Sequence, residues 1–326
     1  MGHVLLLGAG FSRNWGGWVA SEAFEYLLGS PHLDGSLRLL LWKHRNNGGF
    51  ERTLADLQGA FAQQNNATTE QPIRKFEKAV AAMFDDMDEA FGLMNDFDFK
   101  NPSSDRQVGT FLRRFDAIFT LNQDLLMERK YLNDDVAGKS AGKWDGWQIP
   151  GTREGSDVTD YYGNAKPPTR SPADAADFTV DARKQPYFKL HGSSNWVDGA
   201  DRRLLIMGGN KVASISGHSL LSWYHQKFAD YLSEPDTKLM VIGYGFGDEH
   251  INQALYKAAE AASFKMFVID SLGVDAINSN RDATIGSGSN ISMNTLSPQL
   301  IGASRRPLRD IFGADRVEHS KVMRFF

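Results

Sequence analysis

Short, mostly apolar runs alternate along this chain with longer stretches in which apolar residues recur every three or four positions, and the two patterns predict different elements. Residues 4–7, 117–120, 187–190, 239–242 and 265–269 are of the first kind. Runs this short and this apolar suit parallel strands covered on both faces. Helical spacing marks residues 19–28, 37–45, 50–64 and 69–94, where Leu54, Leu57 and Phe61, or Phe76, Val80, Met83 and Met87, fall on one face. Further helices are predicted over 124–132, 220–232 and 248–262, with a short one over 307–313.

Strands alternating with helices predict an α/β fold with a doubly wound, mostly parallel, Rossmann-like sheet. A single domain over 1–326 is expected, carrying a helical insertion at 30–115. Residues 133–185 are rich in Gly, Asp, Pro, Ser and Lys without periodicity, which predicts a long surface loop or lid. Residues 272–326, with Gly286-Ser287-Gly288-Ser289 as a flexible loop, are expected to pack on the sheet or mediate assembly. The chain has no internal repeat.

Composition narrows the class without changing this picture. The 326 residues are 41% hydrophobic and 23% charged, with a mean hydropathy of −0.39, as in ordinary globular proteins. Lys and Arg total 36 against 40 Asp and Glu, a net charge of −4, so direct nucleic-acid binding is not expected. The absence of cysteine excludes disulfides, thiolate zinc modules and cysteine nucleophiles, and suits a cytoplasmic protein. Met1-Gly2-His3 runs straight into the first strand without leader features, and no apolar run approaches the ~20 residues needed to span a bilayer. Neither secretion nor membrane insertion is expected.

Ligands of doubly wound sheets bind beyond the carboxyl ends of the strands, so the residues following each strand are the candidates. They are Gly8-Ala9-Gly10-Phe11-Ser12-Arg13, Thr120-Leu121-Asn122-Gln123-Asp124, His191-Gly192-Ser193-Ser194-Asn195-Trp196 and Gly243-Tyr244-Gly245-Phe246-Gly247-Asp248. The first suits phosphate binding: glycines admit close backbone approach, and a following helix supplies oriented N–H groups. Its alternative is a plain strand-to-helix turn. Counted from Gly8, the third glycine of a dinucleotide fingerprint is replaced by Arg13, and no strand ending in an acid follows about 20 residues later, which argues against hydride transfer. Asn122 and Asp124 fit either chemistry or helix capping. His191 fits a general base, a ribose contact or a structural histidine.

As an ordered set, G-A-G-F-S, T-x-N-x-D, H-G-S-x-x-W and G-Y-G-F-G-D resemble the sirtuin superfamily, most closely the sirtuin-like domains of bacterial anti-phage defence systems. The resemblance implies that Gly8, Ala9, Gly10 and Ser12, flanked by Phe11 and Arg13, hold the pyrophosphate of NAD. It places Asn122 and His191 beside the nicotinamide ribose and Asp124 at the carboxamide. Gly243, Tyr244 and Gly245, followed by Phe246, fall near the adenosine ribose, and Asp270 on the adenine side. Deacylating sirtuins carry P-D-F-R after the first loop and a four-cysteine zinc module; here Asn14-Trp15-Gly16-Gly17-Trp18 stands in the first place, and there is no cysteine.

The resemblance therefore implies an NAD glycohydrolase acting by NAD depletion, with NAD as substrate and no resident cofactor or metal. A homo-oligomer is expected, controlled by assembly or by a partner such as a HerA-type ATPase or a short Argonaute. A non-catalytic NAD or ADP-ribose binding subunit is the alternative, and a zinc-free deacylase a more distant one. Phe11, Trp15 and Trp196 are candidates to cover the nicotinamide, with ordinary packing as the alternative. Asp248-Glu249-His250 is not expected to collect one metal, because adjacent helical residues point apart, and Asp248 is read as a helix cap. His218 and His225 are read as packing residues.

Overall fold

The computed structural model describes residues 2–101, 103–132, 143–156, 158–159, 165–199, 202–261, 264–278 and 295–326. The chain opens with strand β1 (His3–Leu7), helices α1 (Ala9–Arg13), α2 (Ala20–Gly29), α3 (Gly35–Lys43), α4 (Gly49–Gln63), α5 (Ala67–Leu93) and α6 (Val108–Leu112), then β2 (Ala117–Thr120) and α7 (Leu126–Lys130). Five short strands follow: β3 (Gly146–Gln148), β4 (Thr152–Glu154), β5 (Val158–Thr159), β6 (Ala165–Lys166) and β7 (Arg170–Pro172). The rest comprises β8 (Lys184–Lys189), β9 (Gly192–Val197), β10 (Arg203–Leu205), α8 (Lys211–Ser216), α9 (Ser219–Ser233), β11 (Lys238–Ile242), α10 (Glu249–Ala261), β12 (Lys265–Ile269), β13 (Leu300–Ser304), α11 (Leu308–Phe312) and α12 (Arg316–Met323).

The central sheet has seven strands in the order β13-β12-β11-β1-β2-β8-β3, and every neighbouring pair is parallel. Numbered by sequence, six of these strands give the 3-2-1-4-5-6 order of a Rossmann fold, with β3 added at one edge. The strand order reverses between β1 and β11, which makes the ends of these two strands the switch point beside which a doubly wound sheet binds its ligands. Val4, Leu5, Leu6 and Leu7 are fully buried, as a central strand covered on both faces requires.

Within residues 30–115 the structure places helices α3 to α6. Asn66 caps α5 by accepting hydrogen bonds from the Thr68 and Thr69 amides, and the buried Phe76, Val80, Met83 and Met87 form its apolar stripe. Helices α2, α4 and α5 pack on one another. The segment read as a long loop is different. Its described parts hold β3 to β7: β3 joins the central sheet, β4 and β7 lie in a second sheet with β9 and β10, and β5 pairs with β6. These strands are two or three residues long and partly exposed, so their residues alternate too briefly to leave a pattern. In the C-terminal segment β13 completes the sheet; Gly286 to Ser289 lie outside the described residues. Among the described residues, no helix is long and apolar enough to cross a membrane.

Candidate functional site

The loops after β1 and β11 meet backbone to backbone. The Gly8 amide donates to the Ile242 carbonyl at 3.0 Å and the Gly10 amide to the Gly243 carbonyl at 2.9 Å. A Cβ on Gly10 would lie 2.7 Å from the Gly243 Cα; one on Gly243, whose φ is +65°, would lie 2.3 Å from the Gly10 carbonyl carbon. Only glycine allows this contact. A short helix, α1, of five residues follows the first loop directly, ahead of the helix expected over residues 19–28, which is α2.

Above these loops lies a cleft of about 880 Å³, within the range of small-molecule sites. Gly8, Ala9, Gly10 and Gly243 line its middle. Asn122, Asp124 and His191, which follow β2 and β8, lie to one side of the switch point; Asp270, Arg305 and Arg306, which follow β12 and β13, lie to the other. The helical insertion supplies Phe50, Met83, Phe84 and Met87, and Trp18 joins them.

The polar side is tightly built. Asn122 donates from Nδ2 to the Ser12 hydroxyl at 2.9 Å, while its buried Oδ1 has no partner among the described residues. Ser12 also engages Asp124, whose carboxylate accepts the Leu126 amide at 3.1 Å. Burial pushes the Asp124 carboxyl above the usual carboxylate range, against the opposing pull of the Lys189 ammonium. Lys189 is itself fully buried; it donates to Glu128 at 2.7 Å and to the Asp124 carbonyl at 2.6 Å, fixing the turn that carries Asn122.

His191 lies on the connection between β8 and β9, held by the Gln123 side-chain amide on its carbonyl at 3.0 Å. Burial keeps its imidazole well below the usual histidine range, so the ring is neutral at pH 7. Its Nε2 is 2.9 Å from the Nε2 of His250. Behind them His225 bonds the Leu190 carbonyl at 3.0 Å, and burial drives it down to about 4. Lys211 bridges Asp248 at 2.7 Å and Glu51 at 2.8 Å. Burial raises the Asp248 carboxyl, but Lys211 outweighs it and holds the group below its ordinary value.

Several sequence expectations change here. Gly8, Ala9, Gly10, Arg13, Asn122, Asp124, His191, Gly243, Tyr244, Gly245 and Asp270 line the cleft, whereas Phe11, Ser12 and Phe246 do not. Phe11 and Ser12 are buried beneath the loop, and the Phe246 ring lies 4.9 Å from the Tyr244 ring. Arg13 is paired with Glu22 at 2.8 Å. Trp15 stacks between Phe97 and Phe99 at 4.8 and 5.0 Å, and Trp196 is buried beside Tyr224, so neither lines the cleft. Asp248 precedes α10 instead of lying within it, so helical spacing does not separate it from His250; its carboxylate takes Lys211, and only its backbone carbonyl accepts amides of α10, from Ile251 and Asn252. His225 packs behind His191 and His250, while His218 stays at the partly exposed start of α9. Gln123, Lys211, Glu51 and Arg305 went unread because their partners lie 30 to 160 residues away; for instance, Lys211 and Glu51 meet only through folding.

A Rossmann-type sheet with a glycine-floored crevice at its switch point defines a nucleotide-binding α/β protein. The SIR2-like domain family matches residues 116–284, more than half of the chain, and the chain belongs to this family, with an NAD-related, sirtuin-type function. No curated protein matches it. The matched region starts at Asp116 and so leaves out β1 and its glycine loop, which pair directly with β2 and β11 inside it.

Proposed function

We propose that this chain is an NAD glycohydrolase that cleaves NAD to nicotinamide and ADP-ribose. The observation that carries the reading is Asn122 on the cleft wall, whose buried Oδ1 has no partner among the described residues, beside a neutral His191 and one strand away from a glycine floor that admits a pyrophosphate. A buried polar atom without a partner is costly unless a ligand or water completes it. The glycine floor fits the same ligand, since a Cβ would fill it.

In the reaction, the bond between ribose C1′ and the pyridinium nitrogen breaks, its electron pair neutralises the ring, and nicotinamide leaves. Water bonds to C1′ and gives up one proton. Asn122 Oδ1 accepts from that water or from a ribose hydroxyl. Neutral His191 takes up the proton and passes it to solvent. Asp124 accepts from the carboxamide N–H, and Asp270 and the arginines after β13 face the adenosine half. The apolar wall from α4 and α5 excludes bulk water, which favours one placed nucleophile.

Nicotinamide release by the purified protein, alone and with the product of its genomic neighbour, tests this. Asn122→Ala is expected to slow release about 10²–10³-fold and His191→Ala about 10²–10⁴-fold; unchanged release in both variants overturns the assigned roles. Saturable NAD binding without turnover in any assembly supports a regulatory binding subunit instead. An anti-phage role by NAD depletion, control by homo-oligomerisation, and a HerA-type ATPase or short Argonaute partner rest on family analogy and are proposed on that footing. NAD consumption dependent on an acylated peptide would favour the deacylase alternative.

A further inference from the structure

His191 and Asp248 line the cleft, and His250 stands directly behind them. One ligand atom from each of the three lies within 4.8 Å of the others. Two imidazoles with one carboxylate is a ligand set of zinc sites that keep a position open. We propose that His191, Asp248 and His250 form a Zn²⁺ site, and that an ion bound there inhibits the cleft by engaging His191. The inhibitory half rests on the NAD-cleavage reading; the binding half does not.

The geometry is close to what zinc needs. At about 2.0–2.1 Å from each nitrogen in a tetrahedral arrangement, zinc sets its two imidazole nitrogens about 3.3 Å apart. The two Nε2 atoms stand at 2.9 Å, so the rings part by a few tenths of an ångström and turn both nitrogens toward the ion, while the Asp248 carboxylate, within 4.8 Å of them, swings in to close the remaining gap. The ligands are held from outside: Gln123 fixes the His191 carbonyl, and the Tyr244 hydroxyl binds the Asp248 backbone amide and carbonyl at 3.0 and 3.1 Å. Water from the cleft completes the fourth position.

Lys211 is the competitor. It holds Asp248 Oδ1 at 2.7 Å, but it also holds Glu51, which keeps the ammonium paired when Asp248 turns to the metal. Lys211 therefore lowers the affinity of the site without closing it, and it offers a test that does not remove a ligand.

Calorimetric titration of metal-free, full-length protein with ZnCl₂ is expected to give one saturable site, weakened at least about 10-fold in His250→Gln and in Asp248→Asn. Lys211→Gln is expected to bind zinc more tightly, which keeps the test open if a ligand variant fails to fold. With CoCl₂, the unmodified protein is expected to develop the visible absorption of four-coordinate cobalt. Absence of saturable binding, or equal affinity across all these proteins, overturns the site. Zinc is expected to suppress nicotinamide release with the same midpoint as binding. Binding without suppression, or with faster release, overturns the inhibitory half alone. Zinc binding by a protein that never cleaves NAD overturns the functional reading and leaves the site standing.

Discussion

At the residue scale, the two decisive positions are an asparagine and a glycine. Asn122 has one amide atom satisfied by Ser12 and the other, buried, without a partner among the described residues, so its side chain is oriented before any ligand arrives. That preorganisation predicts a specific effect of Ser12→Ala: with Asn122 free to rotate, nicotinamide release is expected to fall while the chain stays folded. A kcat loss with unchanged melting temperature supports the positioning role; loss of both shows that Ser12 only supports the core. At Gly243 the demand is steric. Alanine there adds about 1–2 kcal/mol for the left-handed conformation alone, and its Cβ meets the Gly10 backbone, which has no flexible end to move. Gly243→Ala is expected to lower the denaturation midpoint and to abolish nucleotide binding together, read by calorimetry and by NAD titration.

At the scale of elements, the turn after β2 is anchored by a buried ion pair rather than by its own sequence. Lys189 on β8 reaches Glu128 on α7 and the Asp124 carbonyl. Removing one partner strands the other in the interior, which costs about 3–5 kcal/mol, whereas removing both is close to neutral. Lys189→Met is therefore expected to destabilise the chain strongly, and the double variant Lys189→Met with Glu128→Leu to recover most of that stability but not the full rate, since the Asp124 carbonyl stays unheld. Urea denaturation separates these outcomes. A second tie joins α2 to α5: the Tyr26 hydroxyl donates to Asp86 at 2.5 Å, and burial together with that carboxylate pushes the phenol up to about 12. The folded state thus favours the neutral phenol over an ordinary value of 10.0. Its contribution is full below pH 10 and is lost as pH rises toward 12. Tyr26→Phe is expected to remove this alkaline loss, seen as a flatter dependence of the denaturation midpoint between pH 9 and 12.

At the scale of the whole molecule, the SIR2-like match begins one strand too late to fold alone. β1 sits between β2 and β11 with parallel pairing to both, and all of its apolar residues are buried. A fragment starting at residue 116 is expected to lack cooperative unfolding, and a co-expressed segment 1–115 to restore it; a folded, NAD-binding fragment would contradict this. The sequence was legible where periodicity is long or apolar runs are unbroken. Residues 4–7 and 239–242 reveal central strands because a strand covered on both faces has no polar position to show, and α5 reveals itself by its long stripe of Phe76, Val80, Met83 and Met87. It was silent at β3 and β13, which are edge strands with half-exposed, mixed residues such as Gln148 and Gly302. The order of the motifs Gly8–Gly10, Asn122–Asp124, His191 and Gly243–Gly245 determined the family and the edge of the sheet where the cleft forms, because each motif follows a strand and parallel strands all end on one side. Only the tertiary structure decided that Ser12 supports Asn122 instead of touching a ligand, that Trp15 turns away, and that Asp248 and His250 close on His191. Those outcomes depend on contacts between residues dozens to hundreds of positions apart, and no local pattern encodes which distant partner a side chain will meet.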